Sequence, residues 1–125
     1  AVTASVDAMN YLKPLPLGHS VCVETYISGT GKKSMEVFCK VVGEDVLNGE
    51  RYLAATSFWT FVALPREGEG DFTVDAIVPE TDEEKFICSG YEERRKARLE
   101  QLGRQEALMD HITVVKPWNL EENES

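Results

Sequence analysis

Residues 34–64, SMEVFCKVVGEDVLNGERYLAATSFWTFVAL, have a clear β-strand pattern. Apolar residues alternate with polar ones along 34–44, which is typical of a strand with one covered face. Residues 51–64 predict a second, longer strand that is apolar on both sides. The Asn48-Gly49 pair between them predicts a type I′ turn, because both residue types tolerate the positive φ that such a turn needs. The segment therefore predicts a long antiparallel hairpin.

The residues before this hairpin extend the sheet. Residues 2–9 predict a short strand, which the two prolines within residues 13–18 end. Residues 19–28 alternate again, and residues 29–32 predict a turn into the hairpin. In that alternation one face takes Val21, Val23, Thr25 and Ile27, and the other takes Cys22, Glu24 and Tyr26. Such a meander has apolar residues on both faces, so each face needs a cover and an oligomer is expected.

The C-terminal half predicts helix. Residues 71–79 suggest a short extended segment, and residues 91–105 have helical composition. Two capping boxes are expected to start helices, one from Thr81 with Glu84 and one from Ser89 with Glu92. We predict an α+β chain in which residues 1–80 form the sheet, 81–110 a C-terminal helical segment and 111–125 a tail. Within that tail, residues 111–118 fit neither state and residues 121–125 suggest disorder.

Composition limits the partners and the setting. The 125 residues fit one domain, and the net charge is −9, of which −1 lies in residues 1–64 and −8 in residues 65–125. This acidic balance disfavours nonspecific binding to nucleic acid or to an anionic membrane. The sequence contains no apolar run of about 18 residues, so no membrane-spanning helix is expected. The three cysteines are odd in number and match no metal-ligand spacing, and reduced thiols favour a cytoplasmic setting.

Three blocks of sequence carry a resemblance to a known family. They are Gly31-Lys32-Lys33-Ser34-Met35-Glu36-Val37-Phe38, residues 2–7 (VTASVD) and residues 15–21 (LPLGHSV). Together they resemble the acyl-CoA thioester hydrolases of the hot-dog fold, of the cytosolic acyl-CoA hydrolase type. The resemblance implies a hot-dog antiparallel sheet and hydrolysis of acyl-CoA to free CoA and a carboxylic acid, a reaction of lipid metabolism. It implies a dimer or a trimer of dimers, and no cofactor other than the coenzyme A of the substrate.

The same resemblance places the catalytic centre outside these residues. In the family an N-terminal strand and a long central helix precede the matching blocks. That helix region usually has a Gly-Gly pair, an acidic residue and an upstream Asn, and none of these motifs is found in this sequence. We therefore expect the catalytic residues upstream, in a longer natural protein, or else impaired or absent turnover. The alternative is a noncatalytic module of hot-dog type that binds CoA esters or serves in oligomerisation.

The first candidate site is the turn Thr30-Gly31-Lys32-Lys33-Ser34. Its lysine charge, hydroxyl groups and backbone N–H groups suit the phosphate or pantetheine part of CoA. In the resembling family this stretch usually reads Gly-Arg-Ser/Thr-Ser. Lys32 thus replaces an arginine, and it binds phosphate as a point charge rather than as a fork. An ordinary solvated hairpin turn is the alternative reading.

A second group of residues is expected to line a pocket near the first and last predicted strands. Asp7 has the chemistry of a general base, but the resemblance makes it a pocket-lining or structural residue. A basic helical cluster at Arg94, Arg95, Lys96 and Arg98 suits a CoA phosphate or, alternatively, a solvated face. His19 and His111 predict neither a catalytic triad nor a metal site. The pocket residues are Ser5, Asp7, Asn10 and Thr56, and no metal ligand is expected.

Overall fold

The computed structural model describes residues 2–7, 9–64 and 75–119. They form five β-strands, two α-helices and a short 3-10 turn. The strands are β1 (Val2–Val6), β2 (Asn10–Tyr11), β3 (Ser20–Thr30), β4 (Ser34–Asp45) and β5 (Glu50–Val62). The helices are α1 (Asp82–Ser89) and α2 (Tyr91–His111), and the 3-10 turn is Pro117–Asn119. Neither helix, within this part of the chain, has the length and apolar content needed to cross a membrane.

The strands form one antiparallel sheet in the order β1-β5-β4-β3, with the short β2 also paired to β5. β4 and β5 are the central pair, matched from Ser34 opposite Val62 to Asp45 opposite Glu50 with one register shift between Val41 and Val42. The predicted α+β class, the meander and the long hairpin are therefore confirmed. The predicted strand over 2–9 is shorter in the structure, where β1 ends at Val6, and a second short strand pairs with β5 at Asn10 and Tyr11.

The register separates the sheet into two faces, which we call face A and face B. Face A carries Glu36, Phe38 and Lys40 of β4, and opposite them Thr60, Phe58 and Thr56 of β5. Face B carries the odd-numbered residues of both β3 and β4 over most of their length, among them Val23, Ile27, Val37 and Val41. The alternation expected along β3 and β4 is thus observed, since cross-strand partners share a face.

Two turns differ from the sequence expectation. The β4–β5 connection has four residues, and Gly49 alone takes a positive φ, of 73°. Because Asn48 does not share it, the predicted type I′ turn is wrong. The amide of Gly49 donates to the carbonyl of Asp45 at 2.7 Å and closes the wider loop. The β3–β4 turn is shorter than expected: β3 continues to Thr30, which leaves residues 31–33 as the turn.

The first helix begins as predicted, but the second does not. Thr81 caps α1 by accepting a hydrogen bond from the amide of Glu84 at 3.1 Å. The Glu84 carboxylate accepts from the amide of Glu80 at 3.0 Å, one residue before the position a full capping box requires. The capping box expected at Ser89 is wrong, because its hydroxyl donates to the carbonyl of Phe86 at 2.6 Å. The predicted extended segment over 71–79 lies partly outside the described residues, and 75–79 are not in a strand.

The chain divides into two compact units, Ala1–Tyr91 and Glu92–Ser125. In the first unit the buried apolar residues are Phe38, Ala54, Ala55 and Tyr91. Phe38 stacks at tilted angles on Tyr26 and on Phe58, with ring centroids 5.3 and 5.1 Å apart. This aromatic row fixes the centre of face A. In the second unit α2 extends to His111, six residues beyond its predicted end, and Gly103 does not interrupt it.

Candidate functional site

The β3–β4 turn is anchored to the sheet on both sides. The amide of Gly31 donates to the carbonyl of Ser34 at 2.8 Å, and the carbonyl of Lys33 accepts from the amide of Ala63 at 2.8 Å. Lys32 and Lys33 are both exposed. The amide of Gly31 is therefore already used within the turn, whereas the ammonium groups of Lys32 and Lys33 and the hydroxyl of Ser34 have the chemistry to meet a phosphate. The turn is a basic projection with a fixed backbone.

A tyrosine that the sequence analysis did not single out lies under this turn. Tyr91 is buried, with 8% of its surface exposed. Its ring covers Gly29, where an added Cβ would lie 2.1 Å from a ring carbon. Its hydroxyl reaches Gly31, at 3.6 Å from the position of an added Cβ. The signal in the sequence is the Gly29-Thr30-Gly31 spacing, because two glycines leave space for a side chain to pack against the backbone. The sequence does not indicate which side chain occupies that space.

Next to this tyrosine, face A contains a fully buried carboxylate. Glu36 has no exposed surface, and neither has Ser28, whose hydroxyl donates to a Glu36 carboxylate oxygen at 2.7 Å. Ser28 is the bulged residue at which the β3–β4 register shifts, so its side chain turns toward Glu36. Because Glu36 is sealed from solvent, it is placed to organise the sheet rather than to touch a substrate.

The pocket residues expected from the sequence occupy face A and do not converge. Ser5 pairs with Thr60, and Asn10 pairs with Thr56. Four residues along β5 separate the two pairs, roughly 13 Å. The amide of Asp7 donates to the carbonyl of Phe58 between them, at 2.8 Å. Among the described residues, the buried hydroxyls of Ser5 and Thr60 have no hydrogen-bond partner. The hydrogen-bonding capacity of these polar residues on face A is therefore only partly used.

An open groove lies on face B instead. It has a volume of about 540 Å³ and is lined by residues 9 and 11–15 with Val41, Ala54 and Ala55. Apolar side chains dominate the lining, and the amides of Leu12 and Lys13 hold the wall by donating to the carbonyl of Ala54 at 2.8 and 3.2 Å. Asn10 follows the groove residue Met9 in sequence but belongs to face A by register. The groove is suited to an apolar group rather than to a phosphate.

A charged network fixes α1 on face A. Lys40 contacts Glu83 at 2.9 Å and Glu24 at 3.2 Å, and the Tyr26 hydroxyl donates to Glu83 at 3.0 Å. The bond from Lys40 lowers the pKa of the Glu83 carboxyl, and the bond from Tyr26 adds to that effect. Burial, and then the bond to Glu83, raise the pKa of the Tyr26 hydroxyl, so it stays protonated. The network is structural, because the carboxylates of Glu83 and Glu24 both contact Lys40 and so connect α1 and β3 to β4.

The remaining candidates lie elsewhere. His19 contacts the Tyr52 hydroxyl at 2.8 Å and Asp45 at 3.8 Å, which ties the start of β3 to the β4–β5 hairpin. His111 bonds the carbonyl of Ala107 at 2.8 Å within the last turn of α2. The basic cluster of α2 belongs to the second unit, where Arg94 and Arg98 are half-buried and Arg95 and Lys96 are exposed. The described residues contain no group of three metal-ligating side chains.

Comparison with known proteins identifies the family. Residues 1–49 match the thioesterase superfamily. The chain is 44% identical over 117 residues to an acyl-CoA thioester hydrolase of Bacillus subtilis, a match that covers 94% of this chain and 67% of that protein. It is 38% identical over 86 residues to the human cytosolic acyl coenzyme A thioester hydrolase, covering 67% of this chain and 22% of the human protein.

Solved structures agree. An acyl-CoA hydrolase from Bacillus cereus superposes with a TM-score of 0.82 at 38% identity, over 90% of this chain and 68% of that one. The acyl-CoA hydrolase of Staphylococcus aureus, solved with butyryl coenzyme A and coenzyme A, gives a TM-score of 0.79 at 33% identity, over 88% of this chain and 66% of that one. The sheet and C-terminal helices described above therefore belong to a hot-dog fold.

This chain belongs to the acyl-CoA thioester hydrolases. It spans about two thirds of the length of the Bacillus subtilis relative and about a fifth of the human one. The family resemblance inferred from residues 2–7, 15–21 and 31–38 is confirmed.

Proposed function

We propose that this protein hydrolyses acyl-CoA thioesters and that its β3–β4 turn holds the phosphate end of the substrate. Water adds to the thioester carbonyl, the carbon–sulfur bond breaks, and the products are a carboxylic acid and free CoA. No cofactor is needed beyond the coenzyme A of the substrate itself. The observation that carries the proposal is the pair of exposed lysines, Lys32 and Lys33, on an anchored turn in a chain of this family.

Charge supports the binding role of the turn. The first 64 residues have five basic side chains, and two of them are adjacent at positions 32 and 33. Residues 65–125 have a net charge of −8, so an anionic ligand is attracted mainly by local cations rather than by the protein as a whole. Lys32 contributes its ammonium charge, and Ser34 adds a hydroxyl donor. Both lie at the end of the sheet where Ser34 faces Val62.

The acyl group and the catalytic group are assigned to other places. Face B supplies apolar surface for an acyl chain, since Val37, Trp59 and Phe61 share it. The carboxylate that activates water is proposed to lie upstream of these residues, as the family resemblance implies. Glu36 is sealed, and the described site residues of face A form no convergent acid–base pair. Ser5, Asp7, Asn10 and Thr56 then support the sheet beside the site rather than perform the chemistry.

We further propose a homo-oligomer, either a dimer or a trimer of dimers, in the cytoplasm. A related acyl-CoA thioesterase, 33% identical with a TM-score of 0.72, is a hexamer in its crystal structure. In this chain Val21, Val23 and Ile27 on face B are exposed, an arrangement that association would bury. The three free cysteines and the cytosolic mammalian relatives support a reducing compartment.

Hydrolysis of short- and long-chain acyl-CoAs tests the proposal, with released CoA followed by chromatography so that the protein thiols do not interfere. The assay compares the 125-residue chain with an extended protein that includes the upstream region. Turnover is expected to require the upstream region, and Lys32→Ala with Lys33→Ala is expected to raise KM and leave kcat nearly unchanged. Turnover by the 125-residue chain that Asp7→Asn abolishes would contradict the upstream assignment. CoA binding without turnover in both proteins would favour the noncatalytic binding module.

A further inference from the structure

The ring of Tyr91 is the floor of the β3–β4 turn. It covers Gly29, where an added Cβ would meet three ring carbons at 2.1–2.5 Å, and its hydroxyl lies beside Gly31. The tyrosine thus runs beneath the backbone from the end of β3 into the turn. Since 8% of Tyr91 is exposed, the ring is packed and not a mobile surface group.

The hydroxyl of Tyr91 does not explain why a tyrosine is there. Its oxygen is sealed from solvent and has no hydrogen-bond partner among the described residues. An unpaired buried hydroxyl costs stability rather than adding to it. The ring is therefore the part of the side chain that contributes, by filling the space that Gly29 leaves open.

We infer that Tyr91 is a positioning residue for the phosphate-binding turn, acting through its ring on the backbone of Gly29 and Gly31. This inference rests on the proposed function. The turn is hydrogen-bonded to the sheet through the Lys33 carbonyl and the Ala63 amide, and the Tyr91 ring packs against its backbone at Gly29. Losing the contact with Tyr91 lets the turn shift, and Lys32 and Ser34 then no longer meet the phosphate in one geometry. Tyr91 itself does not contact the ligand.

Three variants of the 125-residue chain separate the effect of the Tyr91 ring from that of its hydroxyl and from a general loss of stability. Tyr91→Phe keeps the ring, and CoA affinity is expected to stay at the wild-type value. Tyr91→Leu removes the ring, and the Kd for CoA, measured by calorimetry, is expected to rise about tenfold. A change of this size corresponds to the loss of one hydrogen bond to a charged group of the ligand. Phe38→Leu is the matched control, because Phe38 is an equally buried ring of face A, four residues along β4 from Ser34. It is expected to lower stability and leave the Kd unchanged.

A double-mutant cycle with Gly29 supplies the second test. Gly29→Ala places a methyl group where the ring lies, so it is expected to weaken CoA binding as Tyr91→Leu does. Once the ring is gone the methyl group fits, so the two changes together are expected to be strongly non-additive in Kd. Additive effects, or a Tyr91→Leu variant that binds CoA as the wild type does, would overturn the inference. A Lys32→Ala variant that binds CoA as tightly as the wild type would instead overturn the proposed phosphate-binding role of the turn, on which this inference rests.

Discussion

At the scale of single residues, two positions of the sheet require glycine because an aromatic ring occupies the space that a Cβ would take. The Tyr91 ring packs against Gly29, and the Tyr52 ring packs against Gly43, where an added Cβ would be 2.4 Å from the ring. Neither glycine is needed for its backbone freedom, since positive φ occurs at Gly18 and Gly49 among the described glycines. These glycines leave room for a side chain from another part of the chain.

Replacement by alanine is expected to have opposite effects on stability at two glycines. Gly43→Ala is expected to destabilise the protein by about 1–3 kcal/mol, because the methyl group displaces the Tyr52 ring in a packed region. Gly103→Ala is the control: no atom lies within 4 Å of its added Cβ. In the interior of α2 it is expected to stabilise the helix by about 0.5–1 kcal/mol. Urea unfolding followed by far-ultraviolet circular dichroism measures both, and equal effects of the same sign would contradict the account.

At the scale of elements, a short polar network rather than a large apolar contact holds α1 on face A. Glu83 in the first turn of α1 meets Lys40 of β4 and Tyr26 of β3. The carboxylate thus lies near a helix N-terminus and near a lysine, and both favour its ionised form. Since the Glu83 side chain is 48% exposed, solvent screens the pair and its contribution is small.

The pH dependence of this network follows from the direction of the pKa shift. The pKa of Glu83 is lowered in the folded protein from an ordinary value of 4.5. Its contribution is therefore complete above about pH 4.5 and is lost as the pH falls through the lower folded value. Glu83→Gln is expected to cost about 0.5 kcal/mol at pH 7 and less as the pH falls through the folded pKa of Glu83. Thermal unfolding across this range tests it, with Glu80→Gln as the control; a Glu83→Gln cost that persists unchanged at pH 2 would contradict the assignment.

The sequence predicted the strands well and the connections less well. The alternation along β3 and β4 depends only on which side of each strand is apolar, a local property, so the faces were predicted correctly. The loop after Asp45 and the role of Ser89 depend on which hydrogen bonds the surrounding chain leaves available, so they were not. The ring that packs against Gly29 comes from Tyr91, more than sixty residues away, and local pattern carries no information about such a contact.

At the scale of the whole molecule, the sheet has more apolar surface than the described residues cover. On face B the exposed fractions are 53% for Val21, 59% for Val23 and 38% for Ile27. Strands β1 and β3 also end the sheet with one side unpaired within the described part of the chain. Such edges and faces favour association.

Light scattering coupled to size exclusion measures that association directly. The mass of one chain is 14.0 kDa. We expect a mass of at least twice that value at micromolar concentration, because burial of face B and of the sheet edges offsets the entropy of association. A mass of one chain that does not change with concentration would contradict the proposed oligomer.

The proposed binding of the phosphate end of acyl-CoA by the β3–β4 turn is tested by calorimetric titration of the 125-residue chain with CoA. Lys32→Ala with Lys33→Ala is expected to raise Kd by about ten- to a hundredfold, an effect that weakens as salt is added. Lys13→Ala is the matched control, because Lys13 lies far from the turn. Its backbone amide bonds Ala54, which is about 25 Å along β5 from Val62, the residue opposite Ser34. An unchanged Kd in the double variant, or an equal loss in Lys13→Ala, would contradict the claim.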